Sequence, residues 1–142
     1  MKRHPALVPL SHDHHHVLVI AQQLRRATAA TAGEVAAAFL AASQSEEKQH
    51  FRVEEELLLP AYAVHGDPAD PIVMRMLQDH MLIRRDAERV ANAPSVELLH
   101  DLGERLAAHV HLEERELFPL IEETIPEPEL RALGDRLRGM TA

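Results

Sequence analysis

Residues 50–60 read His50-Phe51-Arg52-Val53-Glu54-Glu55-Glu56-Leu57-Leu58-Leu59-Pro60, and residues 109–119 read His109-Val110-His111-Leu112-Glu113-Glu114-Arg115-Glu116-Leu117-Phe118-Pro119. The two stretches agree at four offsets: a histidine, a glutamate four later, a second glutamate five later and a proline ten later. On an α-helix a spacing of four puts His50 beside Glu54, and His109 beside Glu113, one turn and about 6 Å apart along the axis. One such pair is ordinarily solvated and adds a few tenths of a kcal/mol. Two in the same register mark a repeat. The shared proline strengthens that reading, because a proline inside a helix costs about 3 kcal/mol or a kink.

Outward from these stretches a second matched element appears, Asp13-His14 and Asp79-His80. In chain order the sequence offers His14, then His50 with Glu54, then His80, then His109 with Glu113, a two-fold internal repeat of helix pairs. Breaker residues set the boundaries. Pro5 and Pro9 hold the start extended, and Ser11 offers an N-cap for a helix to about Ala30. Gly33 separates it from a second helix over about 34–64, closed by His65-Gly66-Asp67-Pro68. Asp70-Pro71 gives a cap and an N-terminal proline to a third helix ending near Asn92, and Pro94-Ser95 restarts the chain for a fourth over about 96–124. A tail helix is predicted over 129–138. Four helices of about 20–30 residues with short connections predict an all-α fold: an antiparallel up-down-up-down four-helix bundle with a short C-terminal helix. The expectation is one domain over 1–142, its core bundle covering about 10–124.

Composition narrows the chemistry. The 142 residues contain no cysteine, which excludes thiolate zinc sites, iron–sulfur clusters, disulfides and a cysteine nucleophile. Fifteen Lys/Arg against 23 Asp/Glu give a net charge of −8, which argues against nucleic acid and anionic membrane as partners. No apolar run approaches the roughly 18 residues of a membrane span, and the start is too broken by proline for a secretory signal, so a cytoplasmic location is expected. With 46% hydrophobic residues the chain can build a core, and its eleven histidines are the outlier.

Two histidines fall inside apolar stripes: His14 with Leu10, Val17, Leu18, Ala21 and Leu24, and His80 with Val73, Met76, Leu77, Ile83, Ala87 and Val90. A buried imidazole without a partner costs about 1–3 kcal/mol, so each stripe needs a reason to hold one. A metal pair is that reason. Four imidazoles and two carboxylates supply six ligands to two ions, with Glu54 and Glu113 bridging and positions left open for water or a small ligand. The predicted metal ligands are therefore His14, His50, Glu54, His80, His109 and Glu113, a set suited to two iron ions, with manganese or zinc also possible.

Other candidates are read as follows. His111 points away from His109 and reads as surface. His12, His15 and His16 read as exposed, with one of them available as a fifth nitrogen ligand. His4, His65 and His100 carry no functional reading. Glu55, Glu56, Glu114 and Glu116 read mainly as exposed charge, with Glu55 or Glu114 available to support a ligand; Asp13 and Asp79 either orient nearby imidazoles or, as the plainer reading, stand solvated beside buried histidines. Tyr62 lines the pocket or simply packs. Glu47-x-x-His50 is a ferritin-type spacing, but position 106 is Leu, so its pairing fails.

With these residues in view, the chain resembles the hemerythrin-like, or HHE cation-binding, domains from Leu10-Ser11-His12-Asp13-His14-His15 to Leu117-Phe118-Pro119. The resemblance implies a four-helix bundle with a non-haem di-iron centre held by His14, His50, Glu54, His80, His109 and Glu113. Oxygen-carrying hemerythrins have His-x-x-x-His on the third helix, whereas here Arg84 stands four after His80 and Met76 four before it. The pattern is closer to the four-histidine, two-glutamate arrangement of iron-centre repair proteins and hemerythrin-like iron sensors. The repair proteins typically carry a further N-terminal segment with cysteines.

Three functions follow as expectations. The first is a di-iron protein that binds or senses a small diatomic ligand, O2 or NO, or iron itself. The second is an enzyme acting on peroxide, a nitrogen oxide or ferrous iron, or in iron-centre repair. The third is a structural ion such as zinc, disfavoured because structural sites close their coordination shell. Oligomeric state is not readable from these residues.

Overall fold

The computed structural model describes residues 2–141 and shows, among them, helices and no strands. Five helices form in chain order: α1 (Val8–Arg25), α2 (residues 32–63), α3 (Pro71–Asn92), α4 (residues 96–124) and α5 (Glu127–Thr141). The first four run alternately up and down. The chain is therefore an all-α helical bundle whose last helix crosses one end.

The caps explain several boundaries. Asp70 accepts a hydrogen bond from Ile72 N–H at 2.8 Å, with Pro71 at the first helical position. Ser95 accepts from Leu98 N–H at 3.1 Å and opens α4. The start of the chain differs from its sequence reading. Pro5 and Pro9 do not hold it extended: residues Pro5–Leu7 form a 3-10 turn capped by His4, and Pro9 lies within the first turn of α1, where its missing N–H is no loss. Ser11 is consequently inside α1 rather than its cap, and its hydroxyl donates to Glu114 at 2.8 Å. α1 ends at Arg25, five residues early, and the break falls on 26–31, so Gly33 lies within α2. The tail helix starts at Glu127, two residues earlier than expected.

The prolines of the repeat have a structural counterpart. α2 carries a π-helical turn at Glu54–Leu58 and α4 one at Glu113–Leu117, each immediately before its proline segment. A proline ring clashes with the carbonyl four residues back, and the wider π-turn opens the ladder at that point. The kink that each proline would force is absorbed in a turn that begins at the repeated glutamate.

Burial divides the bundle into two apolar cores. One is built from Leu10, Leu58, Tyr62, Met76, Leu117 and Phe118, and closed at its end by Leu130, Leu133 and Leu137 of α5. The other contains Val17, Leu24, Phe39, Ile83, Leu102 and Leu106. Each long helix passes from one core to the other, and its histidine sits at the crossing. Leu77 and Leu18 are more exposed than the stripe reading assigned, at the stripe's margins. The α1–α4 contact is tight: a Cβ on Gly103 would lie 2.7 Å from the Ala21 carbonyl oxygen. Tyr62 packs in the first core and donates its hydroxyl to the Asp67 carbonyl, tying down the α2–α3 loop.

Candidate metal centre

Between the two cores the six predicted residues come together. His14, His50, Glu54 and Glu113 form one buried group whose ligand atoms lie within 4.8 Å of one another, and Glu54, His80, His109 and Glu113 form a second. The groups share both glutamates. Glu54 Oε2 is 3.2 Å from His50 Nε2, while its Oε1 is 3.2 Å from His80 Nε2. Glu113 Oε1 is 2.8 Å from His14 Nε2 and its Oε2 is 3.1 Å from His109 Nε2. Each carboxylate thus spans the gap between two histidine pairs.

All four imidazoles turn Nε2 inward and Nδ1 outward, and every Nδ1 meets a carboxylate. Asp13 on α1 holds His50 on α2 at 3.0 Å, and Glu55 on α2 holds His80 on α3 at 2.6 Å. Asp79 on α3 holds His109 on α4 at 3.2 Å, and Glu114 on α4 closes the circle on His14 of α1 at 2.6 Å. This ring of four imidazole-to-carboxylate hydrogen bonds passes once around the bundle. It puts the proton on Nδ1 and aims the Nε2 lone pair inward, as a metal-binding histidine requires.

For these four carboxylates the structure favours the lesser of the two sequence readings: each orients an imidazole rather than standing as exposed or solvated charge. The signal was present in the repeat. The glutamate after each cage glutamate, and the aspartate before each stripe histidine, recur in matched register, and each reaches a histidine of the neighbouring helix.

Apart from His14 Nε2 and Glu113 Oε1, which are hydrogen-bonded at 2.8 Å, the inward atoms have no hydrogen-bond partners. His50 Nε2, His80 Nε2, His109 Nε2, both oxygens of Glu54 and Glu113 Oε2 are buried without a hydrogen bond. Their separations of 3.1–3.2 Å are short, yet these contacts do not have hydrogen-bond geometry. Buried polar atoms are almost always satisfied, so a cluster of orphans marks a place for ions. The residues present fit a pair of metal cations.

Electrostatics agrees. Burial lowers the proton affinity of His14, but the bonds to Glu113 and Glu114 outweigh it and bring the imidazole up to about 9. The same balance, set by Glu113 and Glu54, brings His80 to about 9. For His109 the charge of Glu113 and the bond to Asp79 overcome burial and bring it to about 10. His50 also lies well above the usual histidine range, driven against burial by Glu54 and Asp13. Burial would raise Glu113, but the imidazolium charges, His109 foremost, hold it well below the usual carboxylate range. Without metal the cage holds protons where the ions would bind, and cations replace them.

Two aromatic rings clamp the imidazoles. Phe51 stacks on His80 at 3.8 Å and Phe118 on His14 at 5.5 Å. Arg84, standing where a fifth histidine would be, pairs with Glu55 at 2.9 Å and lies over Phe51. Met76 is in the apolar core. His12, His15, His16 and His111 are exposed, and none belongs to either buried group.

No helix among the described residues is long and apolar enough to cross a membrane. No curated protein and no solved structure matches the chain. The family model of the hemerythrin HHE cation binding domain matches residues 7–121, the span that carries the whole cage and its ring of carboxylates. The chain belongs to the hemerythrin HHE cation-binding domain family.

Proposed function

We propose that this protein is a non-haem di-iron protein that binds or senses a small ligand, O2 or NO, or iron itself. The observation that carries the reading is the convergence of four Nε2 atoms and two carboxylates from four helices, most of these atoms buried without a hydrogen bond, with Glu54 and Glu113 each spanning two histidine pairs. His14 and His50 would hold one ion and His80 and His109 the other. Four nitrogens and two carboxylates suit iron, with manganese and zinc as competitors. Iron held there by these residues would supply the chemistry for binding a small diatomic ligand.

The chain's own residues set the terms of that exchange. The four outer carboxylates orient the imidazoles and raise their basicity. Phe51 and Phe118 fix two of the rings, and the apolar cores above and below exclude bulk water. Binding at neutral pH must displace protons from the cage.

Anaerobic Fe(II) titration of metal-free protein tests the reading. Two ions per chain are expected, with fewer in His50→Ala and His109→Ala, and a reversible spectral change when O2 or NO is admitted. One ion or none, or no response to either gas, overturns it.

A further inference from the structure

The internal repeat fails at a buried position one turn before the histidines of α2 and α4. The residue three before His109 is Leu106, part of an apolar core, but the residue three before His50 is Glu47. Glu47 is 6% exposed, and neither of its carboxylate oxygens has a hydrogen-bond partner. A third π-helical turn, Ser43–Glu47, places it, whereas α4 is regular α-helix from Val96 to Leu112. π-turns of this kind concentrate at functional sites.

Every other carboxylate around the centre faces an imidazole at close range. Glu54 and Glu113 span the histidine pairs; Asp13, Glu55, Asp79 and Glu114 hold imidazoles. Glu47 does neither, although it lies within electrostatic reach of the cage: burial raises its carboxyl, and the charges of His50, His109 and His80 oppose that rise.

Glu47 also lines a cleft of about 250 Å³ between α1 and α2, together with Asp13, His16, Glu46 and His50. No lysine or arginine lines this cleft. Glu46 and His16 are exposed, Glu47 is buried and His50 belongs to the cage, so acidic and imidazole groups continue from solvent to the centre. A second cleft on the other face of α2 also reaches Glu47, but Lys48 and Arg84 line it. With Glu88 the charges of that cleft balance, so it lacks the purely acidic lining of the first.

We propose that the cleft between α1 and α2 is the passage by which aquated divalent metal cations reach the centre, with Glu47 as the carboxylate that takes the ion from the mouth at Glu46 and delivers it to His50. A hard cation gives up its waters reluctantly, and oxygen ligands along the way replace them in steps. Carboxylates in a low-dielectric cleft also raise the local cation concentration and the rate of arrival. The inference rests on the dinuclear reading above and concerns how the centre is filled.

Loading metal-free protein with Co(II), followed by visible absorption in rapid mixing, tests it beside an equilibrium count of ions per chain. Glu47→Gln keeps the shape and removes the charge; it is expected to slow loading about tenfold while leaving two ions per chain at the end. Glu46→Gln, at the exposed mouth, is expected to slow loading by a smaller factor. Glu88→Gln, in the second cleft, should load at the parent rate. Unchanged loading in Glu47→Gln overturns the proposal, as does equal slowing in Glu88→Gln. A drop to one ion per chain at the parent rate also overturns it, by making Glu47 a ligand rather than a relay. If the parent protein itself fails to take two ions, the dinuclear reading falls first.

Discussion

The α1–α2 half and the α3–α4 half of the bundle carry the same chemistry in different housings. Each supplies an Asp-His pair, a His-x-x-x-Glu pair and a second glutamate that reaches to the next helix. Around α4 the surroundings are dry: Leu106 packs in a core and Gly103 brings the helix onto α1. Around α2 they are open, with a buried carboxylate at the matching position and a cleft on either face. The repeat accounts for the six residues of the cage. The halves differ in what surrounds those residues, above all at the approach to them.

The most severe way to break the equivalence is to remove a carboxylate common to both buried groups. Glu113→Ala takes one carboxylate from each of the two proposed ion positions and leaves imidazolium charges uncompensated, so metal-free stability is expected to fall by about 3–5 kcal/mol and the ion count below two. Chemical denaturation and metal titration check it. Loss of only one ion would show that the halves are more independent than the shared carboxylate implies.

A pH series tests whether both halves hold protons alike. His14, His80 and His109 have folded values of about 9, about 9 and about 10, above the roughly 6.5 of an unfolded histidine. Their contribution is fully present below about pH 6.5 and is lost as pH rises through 9 to 10. The melting temperature of metal-free protein should fall across that window. A level profile would contradict the protonated cage.

The outer ring gives a graded comparison. Asp79→Asn and Asp13→Asn each weaken one imidazole's orienting bond, and metal affinity should drop by about 10–100-fold. The Asp13 side chain is 41% exposed and that of Asp79 is 17% exposed, so water can replace the former more readily. Isothermal titration should show the larger loss in Asp79→Asn.

Two smaller changes probe the housings. Gly103→Ala forces a methyl against the Ala21 carbonyl and should cost about 1–3 kcal/mol, read by urea denaturation. Glu47→Leu copies Leu106 into the first half and removes a buried carboxylate without a partner. It should stabilise the metal-free protein by about 1 kcal/mol, visible as a raised melting temperature. A lowered one would mean that Glu47 supports the fold.

Much of the bundle was legible in the chain. The apolar stripes, Asp70-Pro71 and Ser95 located four helices, and the His-Glu repeat selected six residues that the fold brings into two overlapping groups. The boundaries near Pro5, Pro9 and Gly33 were misread because proline is as acceptable in a first helical turn as in an extended segment, and a lone glycine does not end a helix. Glu55, Glu114, Asp13 and Asp79 were undervalued because their partners lie on other helices, at sequence separations from 25 to 100 residues.

Periodicity and repetition are properties of the chain, so they already determined that there would be four amphipathic helices and that two equivalent sets of imidazole and carboxylate would face inward. Only the packing of those helices decided which carboxylate meets which Nδ1, that Phe51 and Phe118 lie against imidazoles, and that Glu47 is buried without a partner beside a cleft. A helix specifies the face on which a side chain stands. What that face meets depends on the crossing of its neighbours, and those contacts join residues that spacing along one helix cannot relate.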